Sequence, residues 1–180
     1  GIGVSPWYED FLATGERWEK RGKRMDEQIT ILRGLMGGDY FGFKGDFYDI
    51  PDLKLCPVPS QPVPILIGGH SKLALKRAAK LGDGWISAGI SLEETKEFID
   101  QINSYREEFG TLDHPNYQFQ VMGEAAYSPD GVRALEDLGA TEVIVAFRNA
   151  YEGGPDERTL DSMKAEIAWY ADEVINKFRS

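Results

Sequence analysis

The sequence predicts an α/β fold, a parallel sheet wrapped in helices, and three observations carry that prediction. Short runs of consecutive apolar residues, such as 64–67 and 143–147, alternate with longer stretches of helical period. Glycines or proline-led turns punctuate the changes between them. Strands that are apolar at successive positions suit a sheet covered on both faces. At 180 residues, with 42% hydrophobic and 12% aromatic, the chain can fill one core.

The elements follow in order. Residues 1–4 read as the end of a strand. Between 18 and 36 the apolar residues Trp18, Met25, Ile29, Leu32 and Met36 recur at steps of seven, four, three and four, one face of a helix that Gly37 and Gly38 end. Residues 39–63 read as an extended, irregular insertion, with Tyr40, Phe41, Phe43, Phe47 and Tyr48 and with prolines at 51, 57, 59 and 62 that exclude a long helix. Residues 64–67 are a short buried strand stopped by Gly68 and Gly69. Ser71 can then cap a helix to Leu81 that turns Leu73, Ala74, Leu75, Ala78 and Ala79 to the core. A weak strand at 84–88 precedes a capping box, Ser91 with Glu94, and a helix carrying Phe98, Ile102, Tyr105 and Phe109 up to Gly110. A strand at 117–123 leads through Ser128, Pro129 and Asp130 into a short helix ending at Leu138 and Gly139. The strand at 143–147 is followed by a loop with Gly153, Gly154 and Pro155 and by a long helix with Leu160, Met163, Ile167, Tyr170, Val174 and Phe178 in register. That makes five strands, whereas an eight-stranded barrel takes about 250 residues. The expectation is therefore a chain that starts mid-fold, with its remaining strands in another segment or chain, or else an open doubly wound sheet.

Composition excludes several function classes. A net charge of −10 argues against a phosphate-tracking nucleic-acid binder. Cys56 is the only cysteine, so neither a disulfide framework nor a cysteine metal site is available, and a cytoplasmic location is expected. The longest apolar runs are far too short to span a bilayer, and the first residues lack a secretory signal pattern, so no membrane partner is expected. His70 and His114 stand far apart without ligand spacing, which argues against a catalytic metal. No GxSxG, P-loop or complete GxGxxG is present.

One segment stands out chemically. Gly68 and Gly69 let the backbone approach a ligand without a Cβ in the way, and the helix that follows offers free N–H groups and its positive dipole end. Ser71 could donate to a phosphate, and Lys72 and Lys76 add positive charge. The two glycines could equally serve only to turn strand into helix, with Ser71 as a plain cap. His70 could hydrogen-bond a ligand or shuttle a proton; a binding or structural role is favoured over a catalytic one. Trp85 ends a weak strand, where it could line a pocket or simply fill the core, and Ser87 and Ala88 lie slightly further along. Arg148 follows the last apolar strand, where a guanidinium suits phosphate or carboxylate, or a rim salt bridge.

Five stretches, 1–11, Gly45 to Tyr48, 64–71, Gly82 to Trp85 and 138–145, occur in the order and spacing of the bacterial luciferase-like monooxygenase family. The chain resembles that family over essentially its whole length. The opening Ser5-Pro6-Trp7 segment and the Ile67 to Ser71 turn are similar to its deazaflavin (coenzyme F-420) branch. The resemblance implies a TIM (β/α)8-type barrel, of which residues 1–180 would be the C-terminal part, about strands four to eight, in a homodimer. It implies that Gly3, Ser5, Gly68, Gly69, His70 and Ser71 hold the cofactor, with Trp85, Ser87, Ala88 and Arg148 towards the substrate. The function so implied is hydride transfer between coenzyme F-420 and a small organic substrate. An FMN-dependent monooxygenase is the alternative, and a non-catalytic partial barrel that binds cofactor or a partner is the alternative of another class. The charged helix face at 16–28 could serve such a partner, although a solvated face explains it as well.

Overall fold

The computed structural model describes residues 1–148 and 154–179; Gly153 of the loop named above lies outside the described residues. Four parallel strands, β3 (Leu66–Gly68), β4 (Gly84–Ile86), β5 (Gln118–Met122) and β6 (Glu142–Ile144), lie side by side in chain order. Ile2 extends the sheet beyond β3: its N–H donates to the Leu66 carbonyl (2.8 Å) and its carbonyl accepts from Gly68 (2.7 Å). The order runs one way across the sheet, without the reversal of a doubly wound fold.

Helices connect the strands as the periodicity predicts. α3 (Lys72–Leu81) follows β3, α4 (Leu92–Phe109) follows β4 behind a complete Ser91–Glu94 capping box, and α5 (Pro129–Asp137) follows β5 after a 3-10 turn at Glu124–Tyr127. Alternate strand residues Ile67, Trp85, Phe119 and Val121 pack with Leu75, Ala78 and Ala79 of α3, Ile99 and Ile102 of α4 and Leu135 of α5. Each buried Val, Leu, Ile or Phe among these contributes roughly 1.5–3 kcal/mol of transfer free energy. Gly84 is required in the middle of this core, because a Cβ there would stand 2.5 Å from the Gln118 carbonyl oxygen.

Several expectations are corrected. The strands are not apolar on both faces: Gly68, Ile86, Gln120 and Glu142 share one row across the other face, where the Gln120 amide donates to Glu142 at 2.6 Å. The run at 143–147 yields only two strand residues, Val143 and Ile144, neither buried, because β6 has a neighbour on one side alone among the described residues. Leu73 is 73% exposed and Leu32 43%, so neither belongs to the core face assigned from spacing. In α2 (Arg21–Met36) the buried positions are Arg24, Met25, Ile29 and Ile31. The insertion at 39–63 is not irregular throughout. It contains an antiparallel hairpin, β1 (Phe41–Lys44) and β2 (Asp49–Leu53), whose turn is held by Glu27: its carboxylate accepts the amides of Asp46, Phe47 and Tyr48 at 2.7–3.1 Å. A short helix, α1 (Tyr8–Thr14), had no counterpart in the sequence reading. The long final helix is α6 (Leu160–Tyr170), a π-helical stretch Ala171–Ile175 and α7 (Asn176–Arg179), with Tyr170 and Val174 buried but Ile167 exposed.

Candidate functional site

The turn between β3 and α3 is fixed from behind by the core. Gly69 takes a φ of +114°, which a side chain would resist, and its carbonyl accepts the indole N–H of Trp85 at 3.0 Å. Trp85 itself is wholly buried, so it supports the turn instead of facing solvent. The His70 ring stacks on Phe98 (5.1 Å, 18° between planes), and its Nε2 accepts the Ala88 amide at 3.3 Å, a bond that leaves the proton of a neutral ring on Nδ1. Ser71 caps α3, its hydroxyl accepting the Ala74 amide at 3.3 Å. The amides of Lys72 and Leu73 fall in the first turn, where no helix carbonyl lies behind them. They are what this turn can offer to an anion.

The turn opens on a cleft of about 940 Å³ shared with Ser5. Its walls carry Lys20, Arg21 and Lys23 from the start of α2 and Lys76, Arg77 and Lys80 from α3, against two carboxylates, Asp26 and Glu27. The two carboxylates are engaged, Asp26 with Arg77 and Glu27 with the hairpin turn, and the six cationic side chains outnumber them. The cleft is thus a local positive site in a chain of net charge −10. A second cleft of about 620 Å³, lined largely by apolar residues such as Phe11, Met25 and Ile31, lies across Gly3, Val4 and Ser5 from the first.

The structure therefore brings Ser5, Gly68, Gly69, His70 and Ser71 to one cleft, with Gly3 beside Gly68 in the segment that follows Ile2. The Ser5 hydroxyl is already engaged, donating to Asp10 at 2.5 Å and accepting the Trp7 amide at 3.1 Å. Ala88 is exposed next to His70, while Ser87 is buried and ties β4 to β5 by accepting the Met122 amide at 2.9 Å. Arg148 lines neither cleft; it donates to the Gly154 carbonyl (3.1 Å) and lies 3.6 Å from Asp156. Asp156 is held down to about 2 by hydrogen bonds from Arg158, so this rim is a compensated ion cluster. Sequence reasoning missed Lys20, Arg21 and Lys23. The signal was the basic run at 20–24, which a solvated helix face explained equally well.

The profile of the family described as luciferase-like monooxygenase matches residues 1–173. An uncharacterized protein of Mycobacterium tuberculosis is 45% identical over 177 residues, 98% of this chain and 60% of that protein. The chain thus spans about 60% of the length of that relative. An FMNH(2)-dependent dimethylsulfone monooxygenase of Pseudomonas fluorescens is 37% identical over 56% of this chain and 29% of its own length. An F420-dependent glucose-6-phosphate dehydrogenase of Amycolatopsis mediterranei is 34% identical over 52% of this chain and 29% of its own length. Among solved structures, the coenzyme F420 dependent tetrahydromethanopterin reductase of Methanopyrus kandleri superposes on 98% of this chain and 74% of its own, with a TM-score of 0.69 at 14% identity, which speaks to fold alone. Among the described residues no helix is long and apolar enough to cross a membrane.

Proposed function

Because this chain belongs to the luciferase-like monooxygenase family, we propose that it is the cofactor-holding part of a (β/α)-barrel oxidoreductase, about strands four to eight, and that it binds the deazaflavin coenzyme F-420. The observation that carries the reading is the bare turn Gly68 to Ser71 opening on a cleft with six cationic side chains in its walls. The one-way strand order and the half-open sheet face with Gln120 and Glu142 fit a barrel that further strands complete.

The residues present fit a phosphate-bearing cofactor. A Cβ at Gly69 would come within 3.1 Å of the Ala74 Cβ, so the turn keeps its backbone bare, and the amides behind it donate without desolvating a side chain. When bound, a reduced deazaflavin supplies a hydride, and the protein sets its position and electrostatics. In this reading the Lys72 and Leu73 amides hold the phosphate, and the lysines of α3 screen its charge. Trp85 and Ser87 hold the strand ends in place from within. His70, locked by Phe98 and Ala88, presents its Nδ1–H, and Ala88 is the residue of that pair placed to touch a small organic substrate. Arg148 would reach a substrate only by leaving Asp156.

Titration of the protein with coenzyme F-420 and with FMN tests this. F-420 should bind at least about tenfold more tightly, a difference of roughly 1.4 kcal/mol, and Gly69→Val should weaken it. Tighter FMN binding would favour the monooxygenase reading, for which the dimethylsulfone monooxygenase is the supporting relative. No binding of either would end both.

A further inference from the structure

The wall of the basic cleft opposite the turn holds a group that the turn does not explain. Helix N-termini favour carboxylates, yet α2 begins on Lys20 in a left-handed conformation (φ 55°), and no acidic residue occupies its first turn. Arg21, Lys23 and Arg24 stand there instead. Arg24 is compensated: it is buried, donates to the Arg17 carbonyl and lies 3.4 Å from Glu16. Arg21 is not. Its guanidinium lies 3.5 Å from the centre of the Trp18 ring, which Tyr8 and Phe11 brace edge-on at 5.8 and 5.1 Å. Among the described residues its Nε is buried without a hydrogen-bond partner and Arg21 makes no ion pair. A buried guanidinium nitrogen without an acceptor is costly, and stacking fixes the fork while leaving its donors unused. Arg21 also lines both clefts, as Val4 and Ser5 do. On the α3 side, by contrast, Arg77 is spent on Asp26 and Lys76 lies 3.4 Å from Glu108.

We propose that Arg21, seconded by Lys20 and Lys23, is an anion-binding residue of this cleft: it takes a phosphate or carboxylate oxygen of a bound ligand from the wall facing the Gly69–Ser71 turn. The ligand then bears anionic oxygens reachable from both walls. The inference uses the proposed cofactor only to say what occupies the turn, and it stands or falls separately.

The test is calorimetric titration of the whole chain with two probes, sodium tripolyphosphate and citrate, at low and moderate salt. The wild-type protein should bind at least one of them, tripolyphosphate if the wall suits phosphate and citrate if it suits carboxylate. Arg21→Gln should weaken that binding by roughly fivefold or more, as loss of a charge-assisted contact does, with Arg21→Lys falling between. Lys23→Gln, at an exposed position, should weaken it by roughly twofold and reduce the salt dependence; it decides the matter if Arg21→Gln does not fold. Arg133→Gln, whose arginine pairs with Asp130 on α5, should change nothing. Binding of neither probe, equal binding by Arg21→Gln and wild type, or an equal loss in Arg133→Gln would overturn the proposal. If the probes bind through Arg21 while F-420 and FMN do not bind, the cofactor reading fails and this one holds. If F-420 binds and responds to Gly69→Val but not to Arg21→Gln, the reverse is true.

Discussion

Replacing Gly69 by alanine separates two costs that the structure assigns to one position. A methyl group there stiffens the unfolded chain, a gain of about 0.4–1 kcal/mol, but must adopt a φ of +114°, which costs on the order of 1–3 kcal/mol. It also meets the Ala74 Cβ at 3.1 Å, tighter than ordinary contact, and Ala74 is buried at the start of α3. The net loss should be about 1–2 kcal/mol, or roughly 2–8 °C in Tm for a chain of this size. Gly139→Ala supplies the comparison. Its φ is +98°, and nothing lies within 4 Å of its Cβ, so it bears the backbone strain without the contact. Urea unfolding followed by far-UV circular dichroism gives both values, provided the slope with urea stays that of the wild type. Gly69→Ala should lose more than Gly139→Ala. Equal losses would show that the Ala74 contact is immaterial, and an unchanged Gly69→Ala protein would refute the argument that glycine is required at the turn.

Four further outcomes follow from named contacts. Ser91→Ala removes the hydroxyl half of the α4 capping box, the acceptor of the Glu94 amide, and should cost about 1 kcal/mol in the same unfolding assay. Leu75→Ala, at a core position 1% exposed, should cost about 2–5 kcal/mol and lower the yield of folded protein. Tyr117→Phe should be neutral or stabilising, because the buried hydroxyl has no partner among the described residues while the ring still stacks on Arg106 at 3.9 Å. Burial also pushes the Tyr117 phenol above its ordinary value. Its contribution is therefore present below about pH 10 and lost as pH rises beyond it, a loss that Tyr117→Phe should reduce in alkaline unfolding curves. The Asp156 carboxyl is lowered to about 2 by Arg158, so its stabilisation is present above the usual carboxylate range, near pH 4, and fades as pH falls towards 2; in Asp156→Asn that segment of the acid-unfolding curve should flatten.

Local grammar made much of the fold legible. Ser71, Ser91 and Ser128 each cap the helix that follows, as their types and positions indicate, and Gly110 closes α4 in the left-handed conformation. What failed had a common physical cause: periodicity reports which residues are apolar, not what lies opposite them. Leu32, Leu73 and Ile167 have the right spacing but remain exposed, and the apolar run after Glu142 begins in a strand with one partner among the described residues. The hairpin at 41–53 escaped because it is built on a contact 19–21 residues away, the Glu27 carboxylate on three amides, and no local pattern encodes that. At the candidate site the turn was legible because glycine and serine have few uses side by side. The opposite wall was not, because a lysine or arginine on a helix reads as solvated until a structure shows which of them lacks a counter-ion.

That difference bears on how such a cleft would bind. Association loses affinity wherever groups must be ordered on contact, and the two walls differ in how much ordering remains to be done. The turn is prearranged: Trp85 holds the Gly69 carbonyl, Ser71 occupies the Ala74 amide, and the His70 ring is pinned between Phe98 and the Ala88 amide. None of these bonds uses the Lys72 or Leu73 amide, so the fold spends its own donors and acceptors in a way that leaves both first-turn amides of α3 without a helix partner. Across from them Arg21 is held by an aromatic surface, which restrains its direction without consuming a donor. Lys20 and Lys23 are long, exposed and unrestrained, and would lose side-chain entropy of up to about 2 kcal/mol each on being fixed. Arg21 should therefore govern the strength of anion binding and the lysines its dependence on salt, a division that the Arg21→Gln and Lys23→Gln titrations measure separately.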